Sequence, residues 1–288
     1  MDTNDGASEL DQLVTEIRAL LDADRRSEAA KLMPRAVELR AAELPVSDVP
    51  PTPQQIATHF APVVFTGGPF WVFEEVGRAS FVSLLERGLY PHSNVLDFGC
   101  GALRIGYWLI NFLQPDRYFG IEPDTTTLQF GIDQVVGPEV IAAKRPSFDA
   151  NEDLDMTVFN RTFDFAVARS IWTHTARSHM QSMLDSWVKV ANPVSTFLIS
   201  YVPAANGDAY MGEEWVATPL VRHPFSWIEK ECQARGLVVR EDPNVINGQT
   251  WLVIQTPAAA AADAAAAERA NAQPRSKVKG LLGRLQRG

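Results

Sequence analysis

The sequence predicts an α/β fold, a doubly wound and mostly parallel sheet preceded by an N-terminal helical arm. Apolar runs typical of strands alternate with helical stretches between residues 54 and 257. The runs are nearly continuous in apolar residues, which is typical of parallel strands covered by helices on both faces. A proline-rich linker at 45–53 separates this region from an amphipathic stretch at 8–42 and indicates a domain boundary.

The arm, residues 1–44, is predicted to form two amphipathic helices. Apolar residues recur at helical spacing on both sides of Asp22-Ala23-Asp24, where we expect a break. Ser8 and Asp11 have the spacing of a capping box at the first helix. A helix pair of this size cannot bury both its apolar faces alone, so we expect it to dock on the main domain or on another chain. Packing is the commoner purpose of such a stripe, while docking on a second copy would make a homodimer.

The main domain is expected at residues 54–257, followed by an alanine-rich and basic tail at 258–288. The connection at 202–224 is long and contains Tyr210 and Trp215, so it is a candidate lid or substrate loop. Strands are predicted at 94–98, 118–122, 163–168, 196–201, 237–240 and 251–254, and helices near 103–113, 124–134, 177–190 and 225–234.

The composition is typical of a folded protein that needs no disulfide or metal for its stability. The chain has 288 residues, 46% of them hydrophobic, which is enough to bury a core without disulfides or a metal. Its two cysteines, Cys100 and Cys232, are far apart and form no CxxC pattern, so we expect no metal site. The chain has no run of about 18 apolar residues, and its first residues lack the features of a signal peptide. A cytoplasmic location is therefore expected.

The charge is negative and unevenly distributed. The net charge of −9 disfavours a nucleic-acid partner, because such a partner requires clustered Lys and Arg to displace counterions. Five basic residues and no acid lie at 275–288. A basic tail with apolar neighbours is able to lie on an anionic membrane surface, although a solvated tail is the commoner case.

The most informative segment, Asp97-Phe98-Gly99-Cys100-Gly101, follows directly from the first predicted strand. Glycines one residue apart let a ligand approach the backbone closely, and the helix after them offers free N–H donors. Glu122, at the end of the next strand, suits a carboxylate that accepts hydrogen bonds from ribose hydroxyls. Together these features predict a site for a nucleoside-bearing cofactor at the carboxyl ends of the strands.

Two details of this segment distinguish between cofactors. A dinucleotide fingerprint requires a third glycine at position 104, where this chain has Arg104. Asp97 would repel a diphosphate, whereas it suits a ligand that carries an ammonium group. S-adenosylmethionine has an ammonium group, a ribose and no phosphate. A dehydrogenase is correspondingly disfavoured.

At these residues the sequence resembles the class I S-adenosylmethionine-dependent methyltransferases. The stretch from Phe65-Thr66-Gly67-Gly68 to Gly77-Arg78 resembles their bacterial small-molecule members. The resemblance covers most of residues 60–257. Residues 97–101 are similar to motif I, and Gly120-Ile121-Glu122-Pro123 is similar to the post-I motif. Phe163-Asp164-Phe165-Ala166-Val167 resembles the fourth strand of the family. Ile171-Trp172-Thr173-His174 resembles the segment after that strand, which often ends in a histidine.

The resemblance implies a Rossmann-like methyltransferase fold, with a seven-stranded, mostly parallel sheet whose last strand is antiparallel. It also implies S-adenosylmethionine as the cofactor. Two positions depart from the family pattern. Leu103 replaces a third small residue of motif I, and Val190-Ala191-Asn192-Pro193 lacks the glycine of the usual Leu-x-Pro-Gly turn.

The resemblance also implies residue roles. The methionine part of the cofactor is expected against the motif I turn, the ribose at Glu122, and the adenine at an acid or amide in 151–153, with Asp153 as the candidate. Arg169 follows the family's fourth strand, where the main chain usually lines the cofactor. Its side chain is expected to pair with an acidic substrate or, the commoner case, to form a surface ion pair. The residues expected around the cofactor are Asp97, Gly99, Cys100, Gly101, Glu122, Asp153 and Arg169.

His174 is the candidate catalytic base. Methyl transfer is an in-line displacement in which alignment supplies much of the catalysis, but an alcohol nucleophile also needs a base. Histidine, with an unperturbed pKa near 6.5, suits that task, although a histidine here also suits a helix cap or a main-chain hydrogen bond. The sequence therefore predicts O- or N-methylation of a small molecule.

Two other functions remain open. One is a non-catalytic cofactor-binding or interaction module that uses the N-terminal helices. The other is a nucleic-acid methylase, which the negative charge disfavours. Such an enzyme usually has an Asn/Asp-Pro-Pro-Tyr run where this chain has Ala168-Arg169-Ser170-Ile171.

Overall fold

Seven strands form one sheet in a computed structural model of the chain, which describes residues 8–23, 25–44, 48–65, 67–205 and 207–272. The strands are β1 (Val95–Phe98), β2 (Tyr118–Ile121), β3 (Ser147–Asp149), β4 (Phe163–Ala168), β5 (Ala191–Tyr201), β6 (Val238–Ile246) and β7 (Gln249–Gln255). Their order in the sheet is β3-β2-β1-β4-β5-β7-β6. The first five strands pair in parallel, and β7 is antiparallel to both β5 and β6. The predicted seven-stranded sheet is confirmed.

The helices fill the connections between strands. They are α1 (Glu9–Asp22), α2 (Arg26–Ala42), α3 (Pro53–Phe60), α4 (Phe73–Leu85), α5 (Gly106–Phe112), α6 (Thr125–Phe130), α7 (Pro138–Lys144), α8 (Arg177–Val190), α9 (Phe225–Ala234) and α10 (Pro257–Ala272). A π-helical turn, Gly131–Val136, extends α6, so the helix predicted near 124–134 is divided. No helix in the described part of the chain is long and apolar enough to cross a membrane.

The sheet is buried on both faces. Along β4, Ala166 and Ala168 belong to a core with Trp187 of α8, while Val167 belongs to a second core with Leu109 of α5. Successive side chains of a strand point to opposite faces, so the apolar run of β4 is explained by helices on both sides. This is the doubly wound arrangement that the sequence predicts.

The arm packs on the main domain. A capping box joins Ser8 and Asp11, as predicted, and begins α1. Ile17 of α1 and Met33 of α2 share a third core with residues of the main domain, among them Phe130 of α6. The arm therefore docks on the main domain of its own chain.

The alanine-rich tract forms α10 and also docks on the sheet. Ala259 is buried, and Asp263 accepts a hydrogen bond from the Gln255 amide at 2.8 Å. The basic residues at 275–288 lie outside the described residues.

Candidate functional site

The strand order places the candidate site. β1 and β4 are neighbours in the middle of the sheet. The strands that follow them in the chain, β2 and β5, lie on opposite sides of this pair, so the strand order reverses between β1 and β4. In open α/β sheets, ligands bind at such a reversal, outside the carboxyl ends of the strands. Gly99, Glu122 and Arg169 follow β1, β2 and β4 respectively, so the three predicted residues share this edge.

The motif I turn depends on its glycines. Gly99 and Gly101 have φ of 70° and 53°, in the left-handed region that favours glycine. A Cβ at Gly99 would lie 2.2 Å from Cδ1 of Ile171, whereas a Cβ at Gly101 would meet nothing within 4 Å. The segment after β4 thus covers Gly99, and open space lies beside Gly101.

Glu122 is bonded to this turn. Its Oε2 accepts a hydrogen bond from the Gly101 N–H at 2.8 Å, and its Oε1 accepts one from the Asp124 N–H at 2.9 Å. Burial raises the pKa of the carboxyl, against the two main-chain hydrogen bonds, which lower it. Each carboxylate oxygen has a further lone pair to offer to a ligand hydroxyl. The acid and the glycines, predicted as separate signals, form one unit.

Asp97 lies beneath the turn and is 2% exposed. Its Oδ2 accepts a hydrogen bond from the Tyr118 hydroxyl at 2.8 Å, and its Oδ1 accepts none from the described residues. Burial raises the pKa of Asp97 to about 7, with the Tyr118 hydrogen bond opposing and Glu122 adding to the rise. Within the described ranges no basic side chain pairs with this carboxylate, so it is a buried acid without a countercharge.

Cys100 is buried between the two glycines. Its Sγ would lie 2.9 Å from a Cβ at Gly120 of β2, so the side chain packs against the neighbouring strand. Burial raises the pKa of the thiol well above its usual value. The thiol is therefore a packing group, and a ligand contact from Cys100 would come from its main chain.

Asp153 lies in the loop after β3 and is exposed. The hydrogen bonds of this loop centre on Asp149 and Asn151 instead. Asp149 Oδ1 accepts from the Asn151 side chain at 2.6 Å, and the main-chain oxygen of Asp149 accepts from the Glu122 N–H at 3.0 Å. The structure thus links the loop to Glu122 through Asp149, and no hydrogen bond in the described part of the chain joins Asp153 to another predicted site residue.

Arg104 is a residue of the site that the sequence interpretation passed over. It is buried, and its guanidinium donates to the main-chain oxygens of Gly67 at 2.5 Å and of Gly68 and Pro69 at 3.3 Å. The same group lies 4.9 Å from the ring centroid of Phe73. Arg104 therefore ties the segment before α4 to the motif I turn. Its position was noted only as the place of a missing glycine.

The surface ion pair expected for Arg169 is wrong. No carboxylate in the described part of the chain lies within ion-pair distance of this guanidinium. It donates instead to Ser170 Oγ at 3.2 Å and to the main-chain oxygen of Ile246 at 3.3 Å.

His174 is held by the candidate lid. Its Nδ1 lies 2.8 Å from the main-chain oxygen of Val216, and the Val216 N–H donates to the His174 main-chain oxygen at 2.7 Å. The imidazole stacks on Trp215, with ring centroids 5.8 Å apart and an interplanar angle of 17°. Trp215 and Val216 of the candidate lid thus pack against the segment after β4.

Two other histidines also have main-chain partners. His179 Nδ1 accepts from the Ala176 N–H at the start of α8, and buried His223 contacts the main-chain oxygen of Thr175 at 3.0 Å. Burial lowers the pKa of His223. Both are explained by local structure. Among the described residues, no group of three or more His, Cys, Asp or Glu side chains is placed to hold a metal ion.

No protein-family model matches the sequence, and no curated protein matches it significantly. Solved structures do resemble the fold. A magnesium protoporphyrin IX methyltransferase from Synechocystis PCC 6803, with bound S-adenosylhomocysteine, superposes with a TM-score of 0.50 and 14% identity, over 64% of this chain and 83% of that one. A candidate O-methyltransferase from Nostoc punctiforme PCC 73102 gives a TM-score of 0.51 and 14% identity, over 71% of this chain and 60% of that one. The chain has the class I methyltransferase fold.

One departure from the motif I pattern of the methyltransferase fold has a structural explanation. Leu103 occupies the position of the third small residue, and its φ is 58°. The backbone therefore keeps a conformation that favours glycine, while the side chain is fully buried near Gly106, where a Cβ would lie 2.9 Å from Leu103 Cδ2. The leucine fills core space at the expense of an unfavourable backbone conformation.

The second departure lies at the start of β5. Ala191 begins this strand, and Asn192 and Pro193 belong to it, so the expected turn is replaced by extended chain. Asn192 Nδ2 donates to Asp164 Oδ1 at 2.7 Å. This contact lies at the amino end of β4, far along the strand from the candidate site.

Proposed function

We propose that the protein is an enzyme that transfers the methyl group of S-adenosylmethionine to a small-molecule acceptor, on oxygen or nitrogen. The hydrogen bond from the Gly101 N–H to the Glu122 carboxylate carries the proposal. It joins the glycine turn and the strand-end acid of a methyltransferase fold in one site. The fold itself is compatible with other activities, so the proposal rests on the residues at the strand ends.

The residues at this edge fit S-adenosylmethionine. Glu122 is oriented by two main-chain donors to accept hydrogen bonds from the ribose hydroxyls. Asp97, buried without a countercharge, suits the ammonium group. Gly99, Cys100 and Gly101 would line the methionine part through their main chain, beside the open space at Gly101. Asp153 stays the proposed adenine contact, and Arg169 is proposed to line the cofactor through its main chain.

His174 is proposed as the base for an oxygen acceptor. S-adenosylmethionine, when bound, supplies an electrophilic methyl group on a sulfonium. A main-chain oxygen accepts a hydrogen bond only from a protonated nitrogen, so the contact with Val216 places the proton of neutral His174 on Nδ1 and the lone pair on Nε2. Nε2 would take the acceptor proton as the oxygen attacks, while the lid segment holds the ring in place.

The alternative functions gain no specific support. An interaction module would need a free apolar face on the arm, whereas α1 and α2 bury theirs against the main domain. A homodimer is likewise no longer needed to cover the arm, and it stays a proposal. We also propose a cytoplasmic location, because both cysteines are free and buried, as suits a reducing compartment.

Calorimetric titration tests the proposed function. Wild-type protein is expected to bind S-adenosylmethionine and S-adenosylhomocysteine with micromolar affinity, and not to bind NAD. Glu122→Gln is expected to lower both affinities by about tenfold or more, since it removes charged hydrogen bonds of about 1.5 kcal/mol each. The matched control is Glu139→Gln, because Glu139 is exposed on α7. Failure of the wild-type protein to bind either cofactor form would contradict the proposal.

A further inference from the structure

Arg169 is a partly buried cation whose donors are poorly used. Its two hydrogen bonds, to Ser170 Oγ and to the Ile246 main-chain oxygen, are 3.2 and 3.3 Å long, and its Nε is buried without a partner. Burial lowers the pKa of the guanidinium to about 10. Arg87, whose Nε also lacks a partner, differs because its guanidinium pairs with the buried carboxylate of Asp242. A partly buried charge without a countercharge is unfavourable, so an anion bound at this strand end would stabilise Arg169.

A polar network fixes the position of Arg169. The Ser170 N–H donates to Ser200 Oγ at 2.8 Å, Ser200 Oγ donates to Gln249 Oε1 at 2.6 Å, and Gln249 Nε2 donates to Ser170 Oγ at 2.6 Å. Ser200 and Gln249 are both buried. The network joins the ends of β4, β5 and β7, and it holds Ser170 at a φ of 59°, in a region that costs a non-glycine residue free energy.

The same network leaves one donor unused. Ser170 Oγ accepts hydrogen bonds from both Arg169 and Gln249, and no described residue accepts one from its hydroxyl. The Ser170 hydroxyl and the Arg169 guanidinium thus offer donors side by side. An anion accepts hydrogen bonds and donates none, so these unused donors suit an anionic ligand.

A second arginine adds to the positive field. Arg104 is buried, and together with burial the charge of Arg169 lowers its pKa to about 9. Among the described residues neither arginine has an acid partner. The Nε of Arg104 also lacks a partner, but its other nitrogens donate to three main-chain oxygens, against two acceptors for Arg169. Arg169 therefore has more donors to spare.

Open space borders the partner of Arg169. Ile246, whose main-chain oxygen accepts from the guanidinium, also lines a groove of about 440 Å³ between α4 and the turn from β6 to β7. Glu75 and Glu86 line the groove as well; both are exposed, and neither forms an ion pair with Arg169. Arg169 and Ser170 are not among the residues that line this groove, so the groove reaches Ile246, the hydrogen-bond partner of Arg169, and not the guanidinium itself.

We infer that Arg169 and the Ser170 hydroxyl bind an anionic group, a carboxylate or a phosphate, on the methyl acceptor. The inference rests on the proposed function. The planar guanidinium forms two parallel hydrogen bonds with either anion. His174 belongs to the same segment, four residues after Ser170, so both residues would act on an acceptor bound along that segment. The anchor would supply alignment, the main requirement of an in-line transfer.

Paired probes test the inference. Protein saturated with S-adenosylhomocysteine is titrated calorimetrically with benzoate, with phenyl phosphate, and with benzamide as a neutral isostere of benzoate. We expect at least one anion to bind about tenfold more tightly than benzamide, which is about 1.4 kcal/mol. Arg169→Gln is expected to abolish this preference while its affinity for S-adenosylhomocysteine stays within about twofold of wild type.

The control variant lies at the other end of the same strand. Arg161→Gln removes the same charge from a side chain that contacts the Phe119 ring and the Asp116 main-chain oxygen, and it should keep the preference. Arg169→Lys serves if Arg169→Gln fails to fold, and should keep part of the preference because it keeps the charge.

Several results would overturn the inference. One is equal binding of the anions and benzamide by the wild-type complex. Another is an anion preference that survives in Arg169→Gln. A loss of S-adenosylhomocysteine affinity in Arg169→Gln as large as the loss of anion affinity would assign Arg169 to the cofactor carboxylate instead. If the wild-type protein binds no cofactor, the proposed function fails, and the same titrations on unloaded protein still decide whether Arg169 binds an anion.

Discussion

The Nδ1 nitrogen of His174 lies 2.8 Å from the main-chain oxygen of Val216. This hydrogen bond spans from the segment after β4 to the candidate lid, and it determines which ring nitrogen carries the proton. It therefore links the proposed chemistry to the order of the lid.

We expect His174→Asn to abolish most of the turnover with an oxygen acceptor. The asparagine amide is able to keep the hydrogen bond to Val216, but it lacks the basic Nε2. The turnover number should fall by about 100-fold or more, while the dissociation constant of S-adenosylhomocysteine stays within about twofold. Release of S-adenosylhomocysteine, with an acceptor found by screening, measures the change. His92→Asn is the control because His92 is exposed; unchanged turnover in His174→Asn would remove the proposed base.

Asp97 should make stability depend on pH. Its pKa of about 7 in the folded protein lies above the ordinary value near 3.9 of an unfolded chain. Between these values the folded protein binds more protons than the unfolded chain, so the free energy of unfolding should fall as the pH rises from about 4 to about 7 and then level off. Urea unfolding across this range measures the slope, and Asp97→Asn should reduce it. An equal slope in the variant would contradict the burial of an acid at this position.

The Asp97 carboxyl should also release a proton when the cofactor binds. A ligand ammonium beside Asp97 favours the ionised carboxylate, so binding should release a proton near pH 6.5 and affinity for S-adenosylhomocysteine should increase from about pH 6 to about pH 7.5. Calorimetry in buffers with different ionisation enthalpies counts the protons released. Asp97→Asn should release fewer protons, and an unchanged proton count would separate Asp97 from the ammonium group.

Leu103→Gly should destabilise the protein no more than Leu103→Ala does. Either substitution empties a buried position and should lower the free energy of unfolding by about 2–5 kcal/mol. Glycine alone relieves the left-handed φ of 58°, which costs a side-chain-bearing residue about 1–2 kcal/mol. We therefore expect Leu103→Gly to be no less stable than Leu103→Ala in urea. A glycine variant less stable by more than about 1 kcal/mol would show that this backbone conformation is not strained.

Gly77 should not tolerate alanine. A Cβ there would lie 2.3 Å from the main-chain oxygen of Arg104, so α4 would have to move away from the motif I turn. We expect Gly77→Ala to lower the free energy of unfolding by about 1–3 kcal/mol and to weaken S-adenosylhomocysteine binding. Arg78→Ala, at the exposed next residue of the same helix, should change neither quantity, and equal behaviour of the two variants would argue against close packing at Gly77.

Local pattern predicted most of the elements. The bounds of α8 and α9 agree with the predicted 177–190 and 225–234, because their apolar spacing is regular and their ends coincide with turn residues. The three-residue strand β3 was missed. It lies at the edge of the sheet, its residues are only partly buried, and Phe148 is its single large apolar side chain, so no apolar run marks it.

The sequence predicted the residues of the candidate site better than the contacts between them. The spacing of Asp97, Gly99 and Glu122 was readable, because each follows or ends a strand. The carbonyl partners of Arg104 lie 35 to 37 residues away in sequence, and Val216 is 42 residues from His174. Contacts between such distant loops depend on the assembled sheet, so no local pattern encodes them.

Ala102 directly follows Gly101 and shares a core with Ile17 of α1 and Met33 of α2. A ligand that restrains the motif I turn therefore restrains the packing of the arm as well. Amide hydrogens in α1 and α2 should exchange more slowly when the site is filled, although these helices supply none of the proposed ligand contacts. The N-terminal helices would then report on occupancy from a distance, and a fluorophore attached to their exposed face would follow ligand binding without touching the site.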